Sequence, residues 1–391
     1  MKYDFDTIPV REGSGCEKYD SRTEVFGRGD VIPMWVADMD FEALPAITEA
    51  IMRRAAHPVY GYEPRPDSFW EAACNWMARR HGWHVDRSQI DFTPGVVSGI
   101  VCAMRAVTEP GDRVVINPPV YAPFARVTRT NGRTLVESPM VEAGPLRYVF
   151  DFDDLDRKLA GARALILCNP HNPTGRVLAR EELARIGELC VKHNVTIISD
   201  EIHSDLVMRP HRHIPIATID DEVARRTVTL VAPSKTFNIA GLSTSLAIIT
   251  DEALRRRFCA EFDSMHIGTG NPFGAAALEA AYNHGEQWLE QLLEYLEGNM
   301  DYVEAFIARH TPRIVARKSE GTYMMWLDMR ALGLDERGLR EFLVDRARLG
   351  LNPGTYFGTG GEGFARINLA TSRRVVEQAM AQLGEAYNLP G

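Results

Sequence analysis

Four apolar runs in the middle of the chain each end in residue types that can do chemistry. "DRVVINPPVY" (112–121) ends in Tyr121, "RALILCNPHNPTG" (163–175) carries Asn169 and Asn172, "NVTIISDEIHSDL" (194–206) carries Asp200 and His203, and "TVTLVAPSK" (227–235) ends in Ser234 and Lys235. Lysine is scarce, at positions 2, 18, 158, 192, 235 and 318, yet Lys235 stands in the largely apolar "LVAPSKTFNIAGLSTSLAII" (230–249). An ammonium is costly to bury without a partner. Such a setting lowers its pKa and frees the neutral amine to form a Schiff base with a carbonyl. A nearby aspartate, an aromatic and an asparagine suit a flat, protonated heteroaromatic ring that bears an oxyanion. "DFTPGVVSGIVCAM" (91–104) adds a strand end, Thr-Pro-Gly and a helix start, which present free amides and a positive dipole end to an anion such as phosphate. Each piece alone has a plainer reading as a turn, a helix cap or a lysine whose stem is buried and whose head is wet. Together, a reactive lysine, a ring clamp and a phosphate seat describe pyridoxal 5'-phosphate (PLP).

The elements that must position these residues follow from the same runs. Short β-branched strands alternate with helix-like segments such as "AREELARIGELCVKHN" (179–194), and "SLAIIT" (245–250) adds a further strand. That rhythm predicts a largely parallel α/β sheet, in which ligands bind beyond the carboxyl ends of the strands. After residue 285 the pattern changes. "EQWLEQLLEYLEGNMDYVEAFIARH" (286–310) repeats apolar residues at helical spacing and predicts one long helix. A second lobe follows, with "GTYMMWLDM", a helix around 335–348, "GFARINLA" and a closing helix near 373–387. The first ~45 residues fit neither rhythm and are expected against this second lobe. The expected division is a large cofactor-binding domain, 46–285, and a small α+β domain built from 1–45 and 286–391.

Composition excludes several classes. The chain has 391 residues, 45% hydrophobic and 25% charged, with a formal net charge of −9. An acidic chain without a basic cluster has no footprint for nucleic acid. No apolar run approaches the ~18 residues needed to span a membrane, and "MKYDFDTIPV" lacks a signal peptide's apolar run. Cys16, Cys74, Cys102, Cys168, Cys190 and Cys259 form no C-x-x-C pair; they read as reduced thiols, with no disulfide frame and no metal site. A cytoplasmic protein is expected.

"NPHNPTG", "SDEIHSDL", "APSKTFNIAGL" and "FARINLA", in this order, resemble the aspartate-aminotransferase superfamily of fold-type I PLP enzymes over nearly the whole chain. The resemblance implies that Lys235 bonds the cofactor's aldehyde carbon, Asp200 pairs with its pyridinium nitrogen, Asn172 donates to the ring oxyanion and Tyr121 stacks on the ring. The amides of Gly95, Val96 and Val97, with Ser234, would hold the phosphate, and Arg366 would grip the substrate α-carboxylate, a task its planar fork suits. Tyr62, from "YGYEP", would reach the phosphate of a neighbouring subunit, implying a homodimer with shared sites.

Two departures narrow the reading. His203 stands where many aminotransferases have the tyrosine of "DE-x-Y", and Ser243 stands where they often have an arginine on the phosphate. With "MWVADMDF" (34–41) and "VYGYEP" (59–64), these resemble the MalY/PatB-type cystathionine β-lyases, also called cysteine-S-conjugate β-lyases. Trp35, Val36 and Tyr62 are then candidates for the substrate wall, with "HIGTGNPFG" (266–274) further out. The implied reaction is cleavage of L-cystathionine or a related cysteine S-conjugate to a thiol, pyruvate and ammonia. Lys235 would move the Cα proton, and Tyr121 or protonated Lys235 would protonate the leaving thiolate, a fair leaving group at a thiol pKa of about 8.5. The alternative is an aminotransferase of class I/II.

Overall fold

A computed structural model describes residues 2–389. Its central sheet has seven strands in the order Ile90–Thr93, Ser245–Ile248, Thr227–Val231, Thr196–Asp200, Ala162–Cys168, Arg113–Ile116 and Thr134–Glu137. Ser245–Ile248 runs antiparallel to both neighbours and the other pairings are parallel. The sheet is thus mostly parallel with helices packed around it, the fold-type I arrangement expected of the sequence. Thr227–Val231 is buried at every position, which explains its lack of a polar-apolar alternation with charged residues, since both faces of this strand are covered.

Helix Val96–Val107 lies against the sheet. A Cβ on Gly99 would come within 2.6 Å of Leu230, so glycine lets this helix approach the strand that leads to Lys235. The long helix spans Glu286–His310, as the periodicity predicts, and buries Trp288, Leu292, Leu296, Met300 and Val303 along one stripe. Beyond it stands a smaller antiparallel sheet in the order Val315–Ala316, Met324–Asp328, Phe364–Asn368 and Asn352–Pro353.

The helix expected around 335–348 is shorter and less regular. Glu336–Arg340 is α-helical and Glu341–Arg346 continues as a π-turn, after which Arg348 takes φ 52° and ends it. Near the N-terminus, Ile32–Pro33 pairs in parallel with Leu349–Gly350. A Cβ on Gly350 would meet the Phe26 ring at 2.7 Å, which is why that crossing takes glycine. The following stretch, 34–41, runs between the two sheets. No helix among the described residues is long and apolar enough to cross a membrane.

Candidate active site

The carboxyl ends of neighbouring strands converge as the topology demands. Cys168 and Asp200 are register partners, and the Asn169 amide donates to the Asp200 carbonyl at 3.1 Å. The "NPHNPTG" turn closes with the Gly175 amide donating to the His171 carbonyl at 2.8 Å. Gly175 has φ 71°, and a Cβ there would collide with Ser319, so this turn requires glycine. The turn delivers Asn172 to Arg366, whose Nη1 donates to Asn172 Oδ1 at 2.9 Å. With Oδ1 so engaged, the Asn172 amide turns its Nδ2 donors the other way.

Arg366 lies mid-strand in Phe364–Asn368, opposite Asn352 and Trp326. Its Nη2 donates to the Trp35 carbonyl and to Asn352 Oδ1, both at 2.7 Å, and the guanidinium lies 4.9 Å from the Phe357 ring centre. All three hydrogen-bond acceptors are neutral. Burial pushes the guanidinium down to about 10. No carboxylate pairs with it among the described residues, and its Nε has no partner. A buried guanidinium without an anion of its own is built to receive one.

Lys235 follows Thr227–Val231 in the short helix Pro233–Thr236. Its Nζ donates to the Ala37 carbonyl at 2.7 Å. Burial, then the nearby Arg366 charge, lowers the amine to about 8, against the opposing pull of Asp38 and Asp200. Thr236 Oγ1 donates to Asp205 Oδ2 at 2.9 Å, and Asp205 Oδ1 also takes Trp76 Nε1 at 3.1 Å. This buried acceptor pins the backbone next to the lysine.

Asp200 is buried and accepts from the Ile202 amide at 3.1 Å. Burial raises its carboxyl to about 7, despite that amide and Lys235. His203 is buried and pushed down to about 3, by burial first and then by Lys235 and Arg366. It is therefore a neutral ring, set edge-on to Tyr323 at 5.9 Å, and its Nδ1 has no partner. Tyr121 is half-buried against Phe124, ring centres 5.7 Å apart, and raised to about 12 by burial and then by Asp200, so its phenol keeps its proton.

At the other end, Thr93 Oγ1 and Ser245 Oγ lie 2.6 Å apart across the sheet edge. Gly95 follows with φ 157° and caps Val96–Val107, leaving the first-turn amides of Val96 and Val97 without intrahelical acceptors. Ser234 is half-buried beside Lys235 on the same end of the sheet, and Ser243 has the left-handed φ of 46°.

The donor set fits PLP. A protonated ring nitrogen would supply the cation that buried Asp200 lacks, Asn172 and the unpartnered His203 Nδ1 would offer polar contacts to the ring, and the helix start offers amides to a phosphate.

Other expected residues are placed differently. Tyr62 is 95% exposed and makes no part of the cluster in its own chain. Trp35 reaches the site through its backbone, because its ring packs on Phe26 and its Nε1 donates to the Lys18 carbonyl at 3.1 Å. The Val36 carbonyl accepts from Asn368 Nδ2 at 2.7 Å.

The sequence reading missed the residues that hold this loop. Asn368 also donates to the Asp38 carbonyl at 2.7 Å, and Asn238 clasps the Met39 and Phe41 carbonyls at 3.0 and 2.9 Å. Asn368 lies two residues beyond Arg366 in a strand, hence on the same face; that period was the available signal. Lys18 is buried too, with Nζ 3.0 Å from Asp40 and 3.7 Å from Asp38, while Arg11 bonds both carboxylates. Tyr323, buried and donating to the Ala37 carbonyl at 2.8 Å, had no sequence signal of its own.

Known proteins share this architecture. Residues 29–383 match the family model of aminotransferase class I and II. Cystathionine beta-lyase PatB of Bacillus subtilis is 44% identical, over 98% of this chain and all of that protein. Cystalysin from Treponema denticola, solved with pyridoxal 5'-phosphate, superposes with a TM-score of 0.94 at 35% identity, covering 99% of each chain. The PLP-bound C-S lyase from Staphylococcus hominis gives 0.92 at 31% identity, over 100% of this chain and 99% of that one. The chain belongs to the class I and II aminotransferase family.

Proposed function

We propose that this chain is a PLP-dependent carbon–sulfur β-lyase that cleaves L-cystathionine or related cysteine S-conjugates to a thiol, pyruvate and ammonia. The observation that carries the reading is the convergence of Lys235 Nζ, Asp200, Asn172 and an unpaired Arg366 guanidinium in one buried cluster, in a chain that resembles proteins named for this reaction.

When bound, the cofactor supplies a protonated ring that accepts the electron pair left when the substrate's Cα–H bond breaks. Lys235 Nζ, lowered to about 8, is a base of suitable strength near neutral pH to take that Cα proton. Asp200, buried where it can meet the ring nitrogen, keeps a proton on that nitrogen. Asn172 Nδ2 donates to the ring oxygen, and Tyr121 covers the ring face. Arg366 fixes the α-carboxylate and so directs Cα toward Lys235. The proton on Lys235 or on Tyr121 then meets the departing sulfur. Gly95, Val96, Val97 and Ser234 would hold the phosphate with amides and a hydroxyl, with serine and not arginine at position 243. His203 would be a neutral polar partner for the ring.

The large unit, 46–285, carries the cofactor, and the small unit, 1–45 with 286–391, carries Arg366. Exposed Val59, Tyr60 and Tyr62 support a homodimer in which Tyr62 of a second copy reaches the phosphate. The enzyme acts in the cytoplasm on an amino acid, with the Trp35–Val36 backbone and Tyr62 of a second copy beside the substrate, and homocysteine release would feed methionine synthesis.

The test is to supply PLP-loaded protein with L-cystathionine and no keto acid, following pyruvate and free thiol together. Equal release of both is expected. No pyruvate, with amino-group transfer to an added keto acid, would make it an aminotransferase.

A further inference from the structure

One backbone oxygen in the site serves two side chains. The Ala37 carbonyl accepts from Lys235 Nζ at 2.7 Å and from Tyr323 Oη at 2.8 Å. The peptide that bears it cannot easily move away, because Asn368 Nδ2 holds the carbonyls on either side, Val36 and Asp38, at 2.7 Å each. Tyr323 is fully buried, its ring set edge-on against His203, and burial raises its phenol far above the usual range. It is a permanent donor with a fixed ring, and the carbonyl is its hydrogen-bond partner.

We propose that Tyr323 is a positioning residue that, by sharing the Ala37 carbonyl with Lys235, sets how strongly that carbonyl holds the lysine's free amine. A carbonyl with two lone pairs can take both donors, but each donor draws on the same oxygen's electron density and weakens the other's bond. The carbonyl favours the ammonium over the amine, since charge-assisted bonds are the stronger. Half-claimed by Tyr323, it gives the ammonium less support, so the neutral amine stays available. When Lys235 is engaged elsewhere, Tyr323 alone keeps this half-buried carbonyl satisfied, and the amine finds its acceptor in place on return. The charges that face Lys235 are Arg366 from the small sheet, Asp38 from the N-terminal loop and Asp200 from the neighbouring strand end, while His203 is neutral. Tyr323 therefore acts on the amine through the carbonyl.

The inference rests on the reading of Lys235 as the reactive amine, but its test does not require turnover. In cofactor-free protein, the pH dependence of Lys235 labelling by an amine-directed acylating reagent, read by peptide mass spectrometry, gives the midpoint of the amine's titration. Tyr323→Phe should raise that midpoint by about half a unit to one unit, the scale of one hydrogen bond's redistribution. An unchanged or lowered midpoint in folded Tyr323→Phe protein would overturn the proposal. Placing 3-fluorotyrosine at position 323 keeps the ring and strengthens the donor, so it should lower the midpoint; a rise or no change would overturn the proposal even if the Phe variant fails to fold. Failure of the β-lyase assay would leave both labelling results standing.

Discussion

Arg366 Nη1 and Asn172 Oδ1 meet at 2.9 Å across the gap between the small antiparallel sheet and the turn after Ala162–Cys168. The bond does two things at once. It orients the fork of an arginine that has no anion of its own, and it engages the Asn172 amide through its oxygen, leaving Nδ2 on the opposite side. In the proposed function, carboxylate recognition by Arg366 and ring recognition by Asn172 would be one hydrogen-bonded unit.

Converting Asn172 to Asp tests that unit. The new carboxylate would pair with Arg366, satisfying the charge meant for the substrate, and would remove the donor to the ring oxygen. KM for amino acids should rise about tenfold or more, the scale of a competing buried charge pair, and the visible absorbance of bound PLP should shift. Steady-state kinetics and a spectrum read both; a variant with wild-type KM would refute the coupling.

Arg366→Lys should behave almost as poorly as Arg366→Ala. An ammonium cannot reproduce a fork that contacts Asn172, Asn352 and the Trp35 carbonyl together. Both variants should lose about a hundredfold in kcat/KM, chiefly through KM. Recovery of wild-type kinetics by lysine would mean that charge alone suffices.

Lys235→Ala should abolish the absorbance of lysine-bound PLP and lower β-elimination by at least about a thousandfold, since a positioned base is itself worth 10²–10⁴. Stopped-flow spectra with L-cystathionine read both losses. Turnover near wild type would place the reactive amine elsewhere.

Asp200 gives a pH signature in the cofactor-free protein. Its folded-state carboxyl is raised to about 7, whereas an unfolded aspartate titrates near 3.9. Between those values the folded chain holds a proton that the unfolded chain has released, so stability falls as pH rises from about 4 to about 7. Asp200→Asn should remove that decline and make the cofactor-free protein more stable at pH 8 by an amount on the order of a few kcal/mol, while crippling Cα deprotonation. Urea melts at pH 5 and pH 8 decide the matter: equal pH slopes in both proteins would rule it out.

Most of the candidate site could be read from the chain because its residues sit at strand ends, where an abrupt change from β-branched to polar residues marks the element boundary. Lys235, Asp200, Asn172 and Tyr121 are of this kind, and Arg366 was visible through motif likeness. The long helix Glu286–His310 was readable from periodicity alone. The loop 34–41 was not. Its geometry depends on Asn238 and Asn368, each about 200 residues or more away, and long-range backbone capture by a buried amide leaves no local pattern. Lys18 escaped for the same reason: nothing near it in sequence announces that Asp40 is its counter-ion. The side chain of Trp35 was expected at the substrate, but its indole is tied to Phe26 and the Lys18 carbonyl, and its backbone oxygen is an acceptor for Arg366.

That captured loop changes what the beginning of this chain is for. Carbonyls of Trp35 and Ala37 are the acceptors that Arg366 and Lys235 use, and one asparagine from each sheet's neighbourhood holds the strip that bears them. The strip behaves as a strap buckled to both lobes. Because Met34, Met39 and Phe41 of this strip are also core residues, a cut or an insertion between residues 34 and 41 would remove the acceptors of Arg366 and Lys235 and loosen the seam between the lobes together.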